Sequence, residues 1–104
     1  MGYNLNELVL QIEEWAKARN LVEGSDPKSQ MLKLVEELGE LASGIAKDNQ
    51  EEVLDAIGDV CVVLIILSLQ MGWNIATPLN HAYNEIKDRK GKMIDGIFVK
   101  EGDL

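Results

Sequence analysis

Leu34-Val35-Glu36-Glu37-Leu38-Gly39-Glu40-Leu41 sets three carboxylates into an apolar helical pattern, and Asp55-Ala56-Ile57-Gly58-Asp59-Val60 repeats the device farther along the chain. Leu34, Leu38, Leu41 and Ile45 recur at helical spacing and predict the core stripe of one amphipathic helix. Gln30, Lys33, Glu37 and Glu40 form a second stripe roughly 90° round the same helix, and Glu36 projects almost opposite the leucines. Like charges three or four residues apart cost an isolated helix roughly 0.2–0.5 kcal/mol per pair unless something positive sits there. A divalent cation is the leading candidate. Mg²⁺ prefers oxygen ligands and commonly meets phosphates, so carboxylates without His or Cys point towards phosphate chemistry.

Working outward, Leu5, Leu8, Ile12 and Trp15 predict a first helix over about residues 4–19, opened by Asn4 and Glu7 in a capping-box pattern. Asn20 to Asp26 reads as a loop. Asp26 and Pro27 then start the second helix, which runs to about Lys47. Asn49 with Glu52 repeats the capping pattern and opens a third helix to about Met71, with Val53, Ile57, Val60, Leu64 and Leu67 on one face. Asp55, Asp59, Val62, Ile66 and Leu69 make a second line that begins acidic and ends apolar. A helix apolar all round is buried or forms a subunit interface, so a homo-oligomer built through the third helix is expected. Gly72 ends that helix, and Thr77-Pro78 predicts a fourth over about 77–90. The tail from Gly91 reads as loop or a short extended piece through Ile97-Phe98-Val99. Short connections favour antiparallel neighbours, and the expected fold is all-α, a four-helix bundle in one domain spanning 1–104.

The net charge of −8 argues against wholesale binding to nucleic acid, although Lys87, Arg89, Lys90 and Lys92 gather locally. Cys61 is the single cysteine and reads as a buried, inert thiol, which fits a reducing cytoplasm. The N-terminus lacks the pattern of a signal peptide, and the longest apolar run, Val60 to Leu69, is about half of a membrane span. A cytoplasmic protein without membrane contact is expected.

Adjacent antiparallel helices carrying Glu37 and Glu40 on one and Asp55 and Asp59 on the other can aim four carboxylates at one point. The competing reading is a solvated acidic face. Asp59 favours the metal, because it shares its line with Val62 and Ile66 and so borders buried surface, where an unpaired carboxylate is costly. Glu52 is as well suited to closing the N-terminus of its helix as to binding metal. Trp15 continues an apolar stripe, so core packing comes before stacking on a base. His81, two helices away in sequence, is not expected to be a ligand.

Glu36-Glu37-x-x-Glu40, followed by the acidic segment ending in Ile57-Gly58-Asp59, resembles the MazG-like, all-α nucleoside triphosphate pyrophosphohydrolases, whose hallmark is EExxE and then ExxD. The resemblance extends to Trp15 and Arg19, Gln30 and Lys33, Asn84 and Lys87, Gly91-Lys92-Met93 and Gly96-x-Phe98-Val99-Lys100. In one departure, the glutamate of ExxD falls on Ala56. Asp55, or Glu52-x-x-Asp55, can stand in for it.

The resemblance implies hydrolysis of a ribo- or deoxyribonucleoside triphosphate between the α and β phosphates, with Mg²⁺, or Mn²⁺ in its place, on Glu37, Glu40, Asp55 and Asp59. Glu36 and Glu37 are the implied catalytic carboxylates. Trp15, Gln30, Lys33, Asn84, Lys87 and Lys90 are candidates for binding substrate. A homodimer or homotetramer acting in nucleotide-pool control is the accompanying expectation. The rivals are a non-enzymatic acidic interaction protein and a relative acting on phosphoribosyl-ATP.

Overall fold

The structure, a computed structural model, describes residues 2–104; Met1, where the expected domain begins, lies outside the described residues. The helices are α1 (Leu5–Ala18), α2 (Pro27–Ala46), α3 (Gln50–Gln70) and α4 (Ala76–Ile86), followed by strands β1 (Gly91–Ile94) and β2 (Ile97–Lys100) and a 3₁₀ turn, Glu101–Asp103. The chain is mostly helical, broadly consistent with an all-α bundle.

Local chemistry sets the helix ends. Asn4, Asp26 and Asn49 each accept a backbone N–H from three residues on, Glu7 at 3.1 Å, Ser29 at 2.7 Å and Glu52 at 3.1 Å. At the other ends one device recurs three times. Asn20, Asp48 and Gly72 adopt φ of 58°, 54° and 87°, and the next N–H reaches back five residues, Leu21 to Ala16, Asn49 to Gly44 and Trp73 to Ser68, each 2.9 Å. This is the Schellman closure, placed on residue types that tolerate the left-handed region.

α4 departs from its expected bounds. Asn74 Oδ1 accepts the Ala76 N–H at 2.9 Å, so the turn before Thr77 is already organised and the helix starts early, with Pro78 inside its first turn. It stops at Ile86, four residues short of Lys90. The tail is a hairpin pairing Gly91 with Lys100 and Ile94 with Ile97. Its turn residues Asp95 and Gly96 have φ of 50° and 81°, the twist that a two-residue hairpin needs.

The buried seam lies between α2 and α3. On α2 it comprises Gln30, Leu34, Glu37, Leu41 and Gly44, at alternating steps of four and three, facing Val53, Ala56, Val60, Val63 and Leu67 on α3. α2 is therefore turned away from the expected leucine stripe. Leu38 is 45% exposed and Ile45 60%, while Glu37, assigned to the polar flank, is 4% exposed. At the α2–α3 turn a Cβ on Gly44 would meet Glu52 Cγ, Val53 Cγ2 and Val53 N, all at 3.2 Å, so the missing side chain lets the helices close.

α1 runs alongside α3 in the same sense. Leu5, Leu8, Val9 and Ile12 share a groove with Leu54 through Ile65, while at the far end Gln70 Nε2 donates to the Leu21 and Val22 carbonyls at 3.5 and 3.3 Å. α4 buries none of its residues. One copy exposes 8076 Å², whereas about 5,800 Å² is usual for a monomer of 11.6 kDa. Its radius of gyration, 16.3 Å, exceeds the roughly 13 Å of a compact domain this long.

Candidate metal centre

The seam that buries Glu37 also builds the site. Carboxylate oxygens of Glu36, Glu37 and Glu40 lie within 4.8 Å of one another, with Glu37 buried and its two companions exposed. Glu36 thus joins the group although its Cα direction is farthest from the seam. Its long side chain, drawn towards Lys33, closes the gap. Lys33 Nζ stands 3.1 Å from Glu37 Oε1 and 3.7 Å from Glu36 Oε1. Hydrogen bonding to Glu37, and then the Glu36 charge, hold the lysine above its ordinary pKa.

Glu37 Oε2 is enclosed and has no hydrogen-bond partner. Such an oxygen is costly unless a cation or donor meets it. Its influence spreads to both neighbours. The Glu37 charge raises the pKa of Glu40. On α3, Asp59 is raised first by loss of hydration, then by the Glu37 charge, with Asp55 adding to the effect. Glu40 and Asp59 therefore hold their protons more readily across the α2–α3 seam, a crowding of negative charge that a divalent cation relieves. The donor set is all oxygen, and the buried orphan atom gives a cation a specific place to bind, so these residues fit Mg²⁺ or Mn²⁺.

Asp55 and Asp59 border an open cleft of about 340 Å³, together with Glu40, Asn49, Glu51, Glu52 and Ala56. Ala56, 1% exposed, occupies the position where ExxD calls for glutamate and supplies wall rather than ligand. The Asn49 N–H is taken by the Gly44 carbonyl, so the Glu52 carboxylate has no reciprocal cap to make there and faces the cleft instead.

The other expected residues are dispersed. Gln30 is buried in the seam and donates to Ser25 Oγ at 3.1 Å. Trp15 is 44% exposed rather than in the core, with the Arg19 guanidinium 4.8 Å from its ring centre. Asn84, Lys87 and Lys90 belong to α4 and the segment after it, all exposed. His81, on α4, pairs with Glu85 at 3.1 Å. Cys61 is exposed, not buried, because α3 turns it into the open groove facing α1. Sequence reasoning passed over Glu13, buried on α1, although its place between Val9 and Ala16 on one helical face was a signal.

Among the described residues no helix is long and apolar enough to cross a membrane. The MazG nucleotide pyrophosphohydrolase domain family matches residues 25–94, the stretch that contains every carboxylate of the cluster. An uncharacterized 18.2 kDa protein from the rep-hol intergenic region of Haemophilus phage HP1 (strain HP1c1) is 51% identical over 67 residues. That match covers 64% of this chain and 41% of the phage protein. No solved structure matches. With the family match spanning about two thirds of the chain and containing the cluster of Glu36, Glu37 and Glu40, the chain belongs to the MazG nucleotide pyrophosphohydrolase domain family, whose members are generally dependent on divalent metal.

Proposed function

We propose that the protein, acting as a single domain, hydrolyses ribo- or deoxyribonucleoside triphosphates between the α and β phosphates, releasing monophosphate and pyrophosphate. The observation that carries this reading is the enclosed, unpartnered Glu37 Oε2 within a cluster of carboxylates. Glu37, Glu40, Asp55 and Asp59 hold Mg²⁺ or Mn²⁺, with Glu52 available from the cleft wall. When bound, the metal neutralises phosphate charge and lowers the pKa of water.

The chain's own groups do the rest. Glu36, exposed beside Glu37, accepts a proton from the attacking water. As that water's oxygen bonds to the α phosphorus, the bond from that phosphorus to the α,β-bridging oxygen breaks, and the oxygen leaves as part of pyrophosphate. Lys33, half exposed beside Glu36 and Glu37, is placed to turn towards a phosphate oxygen of the substrate.

Asn84, Lys87 and Lys90 complete the substrate site from a second copy. Three features support a homodimer or a homotetramer of such pairs: the excess exposed area, α4 without a buried residue, and the complementary charges of its end and the acidic cleft. The wider role, in the cytoplasm, is control of the nucleotide pool without nucleic acid or membrane partners. A panel of ribo- and deoxyribonucleoside triphosphates with Mg²⁺, scored for pyrophosphate against orthophosphate, tests the reaction. Orthophosphate as the sole product would sink it.

A further inference from the structure

Glycine in a helix interior is destabilising relative to alanine, so one that stands there calls for a reason. Gly44 has one in the close approach of α2 and α3, whereas Gly58, inside α3, has none within the protomer. A Cβ built on Gly58 meets nothing within 4 Å, and its φ lies outside the left-handed region. What the missing side chain leaves is open space. Leu54, Gly58, Cys61 and Ile65, at steps of four, three and four, belong to the α3 wall of the groove of about 480 Å³ shared with α1. Val9 and Ile12 belong to the opposite wall.

This groove is continuous with the candidate metal centre. Asp55 and Asp59 border both it and the acidic cleft, and Gly58 directly precedes Asp59. In a triphosphate cleaved between its α and β phosphates, the phosphorus attacked is the one that carries the nucleoside, so the sugar and base must lie immediately beside the metal carboxylates. The acidic cleft suits metal and phosphate; the apolar groove next to it has a volume that suits a nucleoside.

Resting on the pyrophosphohydrolase reading above, we propose that the α1–α3 groove holds the nucleoside of the substrate and that Gly58 makes room for it. None of the side chains lining the groove carries a nitrogen donor, and the carboxylates at its edge are committed to metal. The base is therefore held by apolar contact and shape rather than read by hydrogen bonds, and the site tolerates an amino or an oxo group on a pyrimidine alike.

Calorimetric binding of dTMP against inorganic phosphate, both with Mg²⁺, reads the groove without requiring turnover. The natural protein should bind dTMP about tenfold or more tightly than phosphate, through the apolar area that the nucleoside buries. Gly58→Leu puts an isobutyl group into the open space. Its affinity for dTMP should fall about tenfold or more, to the level of phosphate, while phosphate binding is unchanged and the melting temperature is held or raised. The natural protein should bind dCMP and dUMP within about threefold of each other. The assignment is overturned if dTMP binds no more tightly than phosphate, if Gly58→Leu binds dTMP as the natural protein does, or if dCMP and dUMP differ by more than about threefold. Should light scattering show that Gly58→Leu changes its assembly while dTMP binding persists, the groove belongs to a second copy and the proposal falls. Pyrophosphate release by the natural protein is measured separately; dTMP binding without it removes the reaction and leaves the nucleoside site, so the two readings fail independently.

Discussion

If Glu37 holds the metal as proposed, it is where stability and activity pull in opposite directions. Its buried, half-satisfied carboxylate is tolerable in the metal-free protein only through Lys33, which is itself half exposed. Glu37→Gln removes the charge at nearly constant shape. The metal-free variant should gain about 1 kcal/mol, or roughly 4–8 °C in melting temperature. It should also lose the stabilisation by millimolar Mg²⁺ and about a hundredfold or more in kcat. Thermal scans with and without Mg²⁺ check the first pair of outcomes and a pyrophosphate assay the last. A less stable variant that still responds to Mg²⁺ would remove Glu37 from the metal centre.

Proton linkage at the same residues has a definite sign. Glu40 and Asp59 have native pKa values above their ordinary 4.5 and 3.8, so in the window above those values the native state binds more protons than the unfolded chain. Stability of the metal-free protein therefore falls as pH rises through that window and is regained on acidification. The comparison to make is natural protein against Glu40→Gln from about pH 4 to 7, by thermal scan at low ionic strength. The melting temperature of the natural protein should decline relative to the variant as pH rises. With Mg²⁺ present the difference should shrink or reverse, because metal favours the ionised carboxylates. A gap that widens towards acid contradicts the shared-proton account.

At the scale of elements, two glycines on α2 separate packing from helix propensity. A Cβ on Gly39 meets nothing within 4 Å, whereas on Gly44 it meets the Val53 backbone at 3.2 Å. Gly39→Ala should stabilise by about 0.5–1 kcal/mol and Gly44→Ala should destabilise by about 1–3 kcal/mol. Urea unfolding of both variants tests this, and equal shifts would mean that Gly44 does not set the α2–α3 approach. The capped helix starts were legible in sequence because a cap is local: Asn4, Asp26 and Asn49 act on the N–H three residues ahead. Which face a helix buries depends on its neighbours, and there the reading slipped by about 50°, half of one residue's rotation. Leu38 and Ile45 were assigned to the core and lie exposed, while Glu37 and Glu13 are buried. The reading of the tail, loop or a short extended piece through Ile97-Phe98-Val99, stopped short of the hairpin, although Asp95-Gly96 between apolar residues is a strong turn signal. That Glu36, Glu37 and Glu40 of the candidate metal centre lie close together was legible for the same reason as the caps, their spacing being fixed within one helix. The distances of Asn84, Lys87 and Lys90 from that centre were not, because they depend on where α4 goes.

α4 and the hairpin leave the chain with more surface than a monomer of this size usually exposes, and in the proposed assembly a second copy covers it. If the acidic cleft of one copy receives Lys87 from the other, each active site is made of two chains. Glu40→Ala and Lys87→Ala should then each be nearly inactive alone. Mixed and allowed to exchange, they should recover about a quarter of natural activity: half of a statistical mixture is heterodimer, and each heterodimer holds one intact site of two. Light scattering on each variant confirms that assembly itself persists. Recovery that fails while subunits demonstrably exchange would place Lys87 with the cleft of its own chain or outside the site. Recovery with a double variant, Glu40→Ala/Lys87→Ala, mixed with natural protein cannot produce such a gain, since every heterodimer site then lacks one of the two groups, and that mixture is the control that ties the effect to sharing across chains.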